Sequence, residues 1–207
     1  MSDRSESSGV AADDATGRID QIADAALRLF ARYGYKRTSM DDIAREAGLA
    51  KATLYLHFKG KDDVFRAMLA LLGRRVEARC REVLNSKAAF PERLTALLRA
   101  HFATAFESLG TGEHLVELKA VIASIAGQEL LVFEDIFVRH ARTLIEEAQA
   151  KGEISLKRTG LSSTMLITTL MQAAAGAKLG PLPSCTDYQQ RLDAIASVMA
   201  AAVLPAG

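Results

Sequence analysis

The sequence predicts an all-α protein of about nine helices, in which an N-terminal three-helix unit with a helix-turn-helix precedes a larger helical bundle. Three observations carry this prediction. The 207 residues contain only four prolines and no tryptophan, and they are rich in the strong helix formers Ala, Leu and Arg. Apolar residues recur at steps of three and four, the period of one helix face. No stretch alternates as a strand would. The length fits one or two small domains. The 49% hydrophobic and 25% charged residues are ordinary for a soluble globular chain, and no apolar run reaches the 18 or so residues of a membrane span. The N-terminal stretch lacks the apolar core of a secretory signal, and two cysteines, Cys80 and Cys185, cannot frame a disulfide scaffold. A cytoplasmic protein with no membrane partner is expected.

Residues 1–17 set one Arg against Asp3, Glu6, Asp13 and Asp14, and with so little apolar surface they predict a disordered tail. From Arg18, the residues Ile19, Ile22, Ala23, Ala26, Leu27, Phe30 and Tyr33 form an apolar face that ends at Gly34. A short helix follows over Thr38–Ala47, with Thr38 as its expected N-cap and Asp41 and Asp42 in the first turn, where the helix dipole favours carboxylates. Gly48-Leu49 breaks it. Lys51–His57 forms the next helix with Leu54 inward, and Phe58 follows it inward as well. A long helix over Lys61–Leu84 begins after Gly60 and reads as a strut. Pro91 opens a helix running through Phe106 and Ser108, its fixed φ suiting a first turn. Gly110-Thr111-Gly112 reads as a turn. Further helices are expected at about 113–126, 128–151, 160–178 and 187–203, the last with Thr186-x-x-Gln189 as a capping box. The expected division is therefore a tail (1–17), a helix-turn-helix unit (18–62) and a larger C-terminal helical bundle (63–207).

Two short helices about a Gly turn have helix-turn-helix spacing, and charge strengthens that reading. Between Lys36 and Lys61 stand Lys36, Arg37, Arg45, Lys51, Lys59 and Lys61 against Asp41, Asp42 and Glu46, although the whole chain carries a formal charge of only +1. Such a local excess marks a basic face. A recognition helix presents N-terminal residues to base edges and flanking groups to phosphates, and Lys51, Thr53, Tyr55 and His57 have that chemistry. The plainer alternative is a solvated, mildly basic helical surface.

The run from Thr38 to Phe65, TSMDDIAREAGLAKATLYLHFKGKDDVF, resembles the DNA-binding segment of the TetR family of bacterial transcriptional regulators. The T-x-x-x-x-I-A-x-x-A-G helix and the following K-x-T-L-Y-x-H-F-x-x-K carry the likeness, which extends over about residues 18–70. The resemblance implies a homodimeric repressor of double-stranded operator DNA, released by a small-molecule effector. Carried over by position, Lys51, Ala52 and Thr53 begin the recognition helix near base edges and phosphate. Tyr55 and His57 match phosphate and groove contacts, and Lys59 and Lys61 match backbone contacts. Thr38 matches a cap facing a phosphate, a task suited to a helix N-terminus. Two positions depart from the pattern. Ala50 stands where a capping Ser or Thr is usual, and Leu56 replaces a commonly polar or aromatic residue, which would add an apolar contact to a thymine methyl.

The small residues of the helices at about 160–178 and 187–203, among them Ala173, Ala174, Ala175, Ala194, Ala196 and Ala200, suit close packing. By the resemblance that packing is a homodimer interface; the alternative is packing within one subunit. Candidates for a largely apolar effector pocket are His101, Phe102, Phe106, Val121, Ile125, Phe133, Phe137, Met165 and Gln172, with plain core packing as the alternative. No cofactor is expected. The histidines lack the pairing of a helical metal site, and there is neither a G-x-S-x-G elbow nor a phosphate-binding Gly-rich loop, so no enzyme is expected either. An activator of the same family, or a helical adaptor that ignores DNA, stands as the alternative function. A redox role for Cys80 or Cys185 is left open.

Overall fold

The computed structural model describes residues 6–110 and 114–205, with side chains from Thr16 onward. It contains the helices α1 (Glu6–Tyr33), α2 (Met40–Glu46), α3 (Lys51–His57), α4 (Lys61–Leu84) and α5 (Phe90–Leu98), then α6 (Thr104–Leu109), α7 (His114–Ile125), α8 (Gly127–Ala150), α9 (Ser163–Gly176) and α10 (Cys185–Val203). Among the described residues there is no strand. The single helix expected after Pro91 is divided: a π turn, Arg99–Ala103, separates α5 from α6. Periodicity does not register such a turn, because one extra residue in the hydrogen-bonded ring leaves the apolar spacing nearly intact.

The chain forms two compact units, Met1–Leu72 with Gly112–Leu130, and Gly73–Thr111 with Leu131–Gly207. The boundary thus falls inside α4 instead of after residue 62, and α7 belongs with the N-terminal helices. Two hydrogen bonds explain the placement of α7. Its Glu117 Oε1 accepts from the Lys36 amide at 2.8 Å, and Arg66 Nε donates to the Ile125 carbonyl at 3.0 Å, satisfying the end of the helix. One correction concerns the chain's beginning. The tail expected over 1–17 is shorter, because α1 begins at Glu6; once a helix is nucleated, alanines such as Ala11, Ala12 and Ala15 extend it at little cost. Residues 1–5 lie outside the described residues, as do Thr111 and Gly112 of the expected turn; Gly110 is described, with φ +80°.

In the first unit the expected face of α1 is inside: Ile22, Ala23, Ala26 and Phe30 are fully buried, together with Ile43, Leu54, Val64, Phe65 and Met68. Tyr33, placed on that face by its spacing, is instead 44% exposed, with Arg32 stacked on its ring. Phe30, Tyr35 and Phe65 form a trio of rings with centroids 5.3–5.6 Å apart. The Tyr35 hydroxyl donates to the Asp62 carboxylate, and burial, then that carboxylate, pushes its ionisation far up.

The second unit is built on Val76, Phe90, Leu94, Phe137, Leu144, Leu170, Tyr188 and Leu192. The Tyr188 hydroxyl donates to the Ala174 carbonyl at 3.0 Å and ties α10 to α9. Arg93, 2% exposed, pairs with Glu147 at 2.8 Å and donates to the Leu84 carbonyl. The cap of α10 is Ser184, with Asp187 completing the box, and not Thr186 with Gln189. Both pairs have the same spacing, and the extended backbone at Ser184 after Pro183 selects the earlier one. Burial pushes the Cys80 thiol up to about 12 and raises that of Cys185 as well. Neither is set up as a reactive thiolate.

Candidate nucleic-acid interface

The helix-turn-helix is assembled from the first unit's own packing. α2 opens with Ser39 as N-cap: its hydroxyl accepts from the Asp42 amide at 3.1 Å, and the Asp42 carboxylate accepts from the Ser39 amide at 3.0 Å. The Ser39 hydroxyl also donates to the Asp42 carboxylate at 2.6 Å, and that bond first, then the one from the Ser39 amide, draws the carboxyl below its ordinary range. Ile43 and Ala44 seat α2 on the core. Its end is held by Gln21, whose Nε2 donates to the Ala47 carbonyl at 2.7 Å. Arg28 of α1 meets Glu46 at 2.8 Å. Gly48 then takes φ +67°, a left-handed value that most L residues resist, and turns the chain into α3. There Leu54 is fully buried and Phe58 nearly so. These two side chains fix the roll of α3 and thereby decide which residues face outward.

Lys51, Ala52, Tyr55 and Leu56 are exposed on α3, and Thr53 and His57 are half-buried. Tyr55 is 47% exposed and Leu56 83%. The Lys51 ammonium lies 2.8 Å from Asp41, which raises its pKa; both groups are exposed, so the pair is weakly held. Lys59 is exposed beyond the helix, as are Lys36 and Arg37 before α2. Ala50 occupies the N-cap of α3 with no side-chain hydrogen bond, as its identity predicts.

Two expected contacts are corrected. Thr38 is 3% exposed; its hydroxyl donates to the Gly34 carbonyl at 2.8 Å and its amide to the Tyr35 carbonyl. It is a buried clasp of the α1–α2 turn, one residue before the true cap. The register slipped because Thr38–Asp41 and Ser39–Asp42 carry the same spacing, and burial of Thr38 decides between them. Lys61, expected at the DNA backbone, is engaged within the protein. Its ammonium donates to the carbonyls of Tyr35 and Thr38 at 2.8 and 2.9 Å and lies 4.3 Å from the Tyr35 ring centroid. Burial lowers its pKa. The lysine staples the start of α4 to the α1–α2 turn, a role that a sequence run cannot show.

The expected effector residues separate into groups. His101, Phe102, Phe133 and Phe137 come together in the second unit: the His101 ring lies 4.6 Å from both Phe102 and Phe133 and 5.4 Å from Phe137. His101 is 2% exposed, stands on the π turn, and its Nδ1 has no hydrogen-bond partner. Burial first, then the nearby Lys178 and His140, push its pKa down to about 3, so the ring is neutral. The others go elsewhere. Phe106 is core, its ring 4.7 Å from that of Tyr188. Val121 and Ile125 lie on α7 in the first unit, where they are half-buried. Met165 and Gln172 are exposed on α9. A cleft of about 620 Å³ in the second unit is lined instead by side chains that include Arg79, Ala96, Ala100, Thr104 and Gln189, and by none of the expected residues. Among the described residues, no three His, Cys, Asp or Glu side chains could hold a metal, and no helix is long and apolar enough to cross a membrane.

Comparison with known proteins agrees with this geometry. Residues 22–68, which run from the second half of α1 through the first turns of α4, match the family model described as bacterial regulatory proteins, tetR family. Over 95 residues, 45% of its length, the chain is 36% identical to the fatty acid metabolism regulator protein of Bacillus subtilis. Over 47 residues, 23% of its length, it is 40% identical to the biofilm operon icaADBC negative transcriptional regulator IcaR of Staphylococcus epidermidis. These matches span 46% and 25% of the relatives' own lengths, about half at most. The fold is that of a solved transcriptional regulator of the TetR/AcrR family from Thermobifida fusca, with TM-score 0.65 at 23% identity over 89% of this chain and 97% of the other.

Proposed function

The chain belongs to the TetR family of bacterial regulatory proteins, and from that premise we propose that it is a sequence-specific DNA-binding transcriptional regulator, a repressor released from its operator by a small molecule. The observation that carries the reading is the outward face of α3. Lys51, Ala52, Tyr55 and Leu56 are exposed together on a helix whose roll is set by buried Leu54, with exposed Lys36, Arg37 and Lys59 around it. That is a groove-sized helix flanked by phosphate-seeking cations. Repression accords with the negative regulator among the relatives.

The effector site is the His101 ring cluster. A neutral, buried imidazole with an unpartnered Nδ1 amid three phenylalanines suits a largely apolar ligand with one hydrogen-bonding group, and a π turn is a frequent companion of functional sites. The homodimer forms through α9 and α10. Each helix leaves a stripe exposed at helical spacing: Met165, Thr168, Gln172 and Ala175 on one, Ala194, Ser197, Val198 and Ala201 on the other. Two recognition helices so joined would read half-sites one helical turn, roughly 34–36 Å, apart or a multiple of it.

The test is a salt-titrated gel shift on the DNA immediately upstream of the protein's own gene. If the exposed Lys36, Arg37, Lys51 and Lys59 of both protomers each meet a phosphate, the logarithm of the binding constant falls against that of salt with a slope of roughly −7. Competitor-resistant binding that is lost in Tyr55→Ala, with the dimer intact, supports the reading. Binding erased by competitor at this site and across the genome overturns it.

A further inference from the structure

We propose that Ala52 and Leu56 read thymine methyl groups, so that the operator half-site carries thymines about two base-pair steps apart beneath the apolar edge of α3. The inference rests on the DNA-binding reading above and adds what that reading leaves open, the base preference.

Among the described residues Leu56 is the most exposed large hydrophobic side chain, at 83%. It does nothing for the fold, since Leu54 and Phe58 make the buried contacts of this segment. Ala52 lies four residues earlier, directly above it on the helix surface, and is exposed too. The outward face of α3 is therefore divided lengthwise: a polar stripe of Lys51 and Tyr55 runs beside an apolar stripe of Ala52 and Leu56. Residues four apart on a helix are about 5–6 Å apart, close to two base-pair steps of B-DNA at 3.4 Å each.

The chemistry of the groove selects what this stripe can meet. In the major groove only thymine offers a methyl; the other bases present acceptors and amino donors that need polar partners. Lys51–His57 contains no Asp, Glu, Asn or Gln, so it has no carboxylate or amide to pair with the amino groups of adenine or cytosine. Pressing Leu56 against those groups would strip their water and return nothing. Against a methyl the same contact buries apolar surface on both sides. The exposed Lys51, Lys59, Lys36 and Arg37 around the stripe suit a polyanion and disfavour an apolar protein surface.

The experiment selects bound duplexes from a random library with the full-length protein, then replaces single thymines of the recovered site by deoxyuridine, which removes the methyl and keeps the base pair. Burying one methylene-sized group is worth about 0.8 kcal/mol, so each contacted methyl removed is expected to weaken wild-type binding about fourfold. In Leu56→Ala the same replacement is expected to have no effect at the position under Leu56. This exposed substitution keeps a strong helix former, and an unchanged melting temperature checks that the fold is intact. Recovery of no motif at all overturns the DNA-binding reading itself. A motif whose thymines tolerate deoxyuridine, or equal sensitivity in Leu56→Ala, overturns this inference alone. Self-association that depends on Leu56, with DNA binding indifferent to it, also overturns it and assigns the stripe to a protein contact.

Discussion

Gly34→Ala tests how α7 is bolted to the helix-turn-helix unit. Gly34 is buried with φ +83°, and an added Cβ would overlap the Glu117 carboxylate and lie 2.9 Å from His114 Nδ1. Two costs follow. Holding an L residue in the left-handed region costs about 1–2 kcal/mol. Displacing Glu117 breaks its hydrogen bond to the Lys36 amide, worth about 1 kcal/mol where water can replace part of it. The sum, about 2–3 kcal/mol, is a large share of a typical domain's stability. Urea unfolding followed by circular dichroism should show the midpoint lowered by about 1 M for an m-value of about 2–3 kcal/mol/M. The decisive variant is Gly34→Ala/Glu117→Ala. With the carboxylate gone its hydrogen bond can be lost only once and the closest overlap disappears, leaving the approach to His114, so the double substitution should cost about 1 kcal/mol less than the two singles added together. A Gly34→Ala midpoint indistinguishable from wild type, or strict additivity in the double, would refute the argument.

Three further outcomes follow from other contacts. The His101 imidazole, held neutral with its pKa near 3 against an ordinary 6.5, takes no proton in the fold while the unfolded chain does. Stability is therefore complete above about pH 6.5 and declines as pH falls from 6.5 towards 3, by about 2 kcal/mol at pH 5; urea midpoints for His101→Leu should lack that part of the decline. Lys61→Met removes two carbonyl partners and the Tyr35 ring contact and should destabilise the protein by about 1–3 kcal/mol. Its gel-shift salt slope should match wild type, because no phosphate contact is lost. Val198→Glu places a charge on the exposed stripe of α10, and light scattering should then find a monomer that melts near the temperature of the wild-type dimer extrapolated to low concentration.

The site and the fold were legible to different depths. α3 was readable to the residue, because its turn glycine, its buried Leu54 and its flanking cations are all local in the chain. The cap of α2 was misplaced by one position, since Thr38 and Ser39 offer the same chemistry and only the burial of Thr38 separates them. Lys61 looked like one more cation in a basic run, and its partners are carbonyls 23 and 26 residues away. Four of the nine expected pocket residues do gather around His101. The other five lie apart from that cluster, because helical spacing shows that a residue has an apolar face but not which neighbour that face meets.

By itself the sequence determined most of the helix spans and the outward chemistry of α3. Both depend on periodicity, glycine conformations and side-chain type within a few residues. Tertiary structure alone decided that α7 joins the N-terminal unit through Glu117 and Arg66, and that the boundary between units falls within α4. It also decided that Met165 and Gln172 face outward while His101 is sealed among rings without a partner for Nδ1. The physical reason is that burial and long-range hydrogen bonding are properties of pairs of residues brought together from distant parts of the chain, and local preference is silent about which pairs will meet.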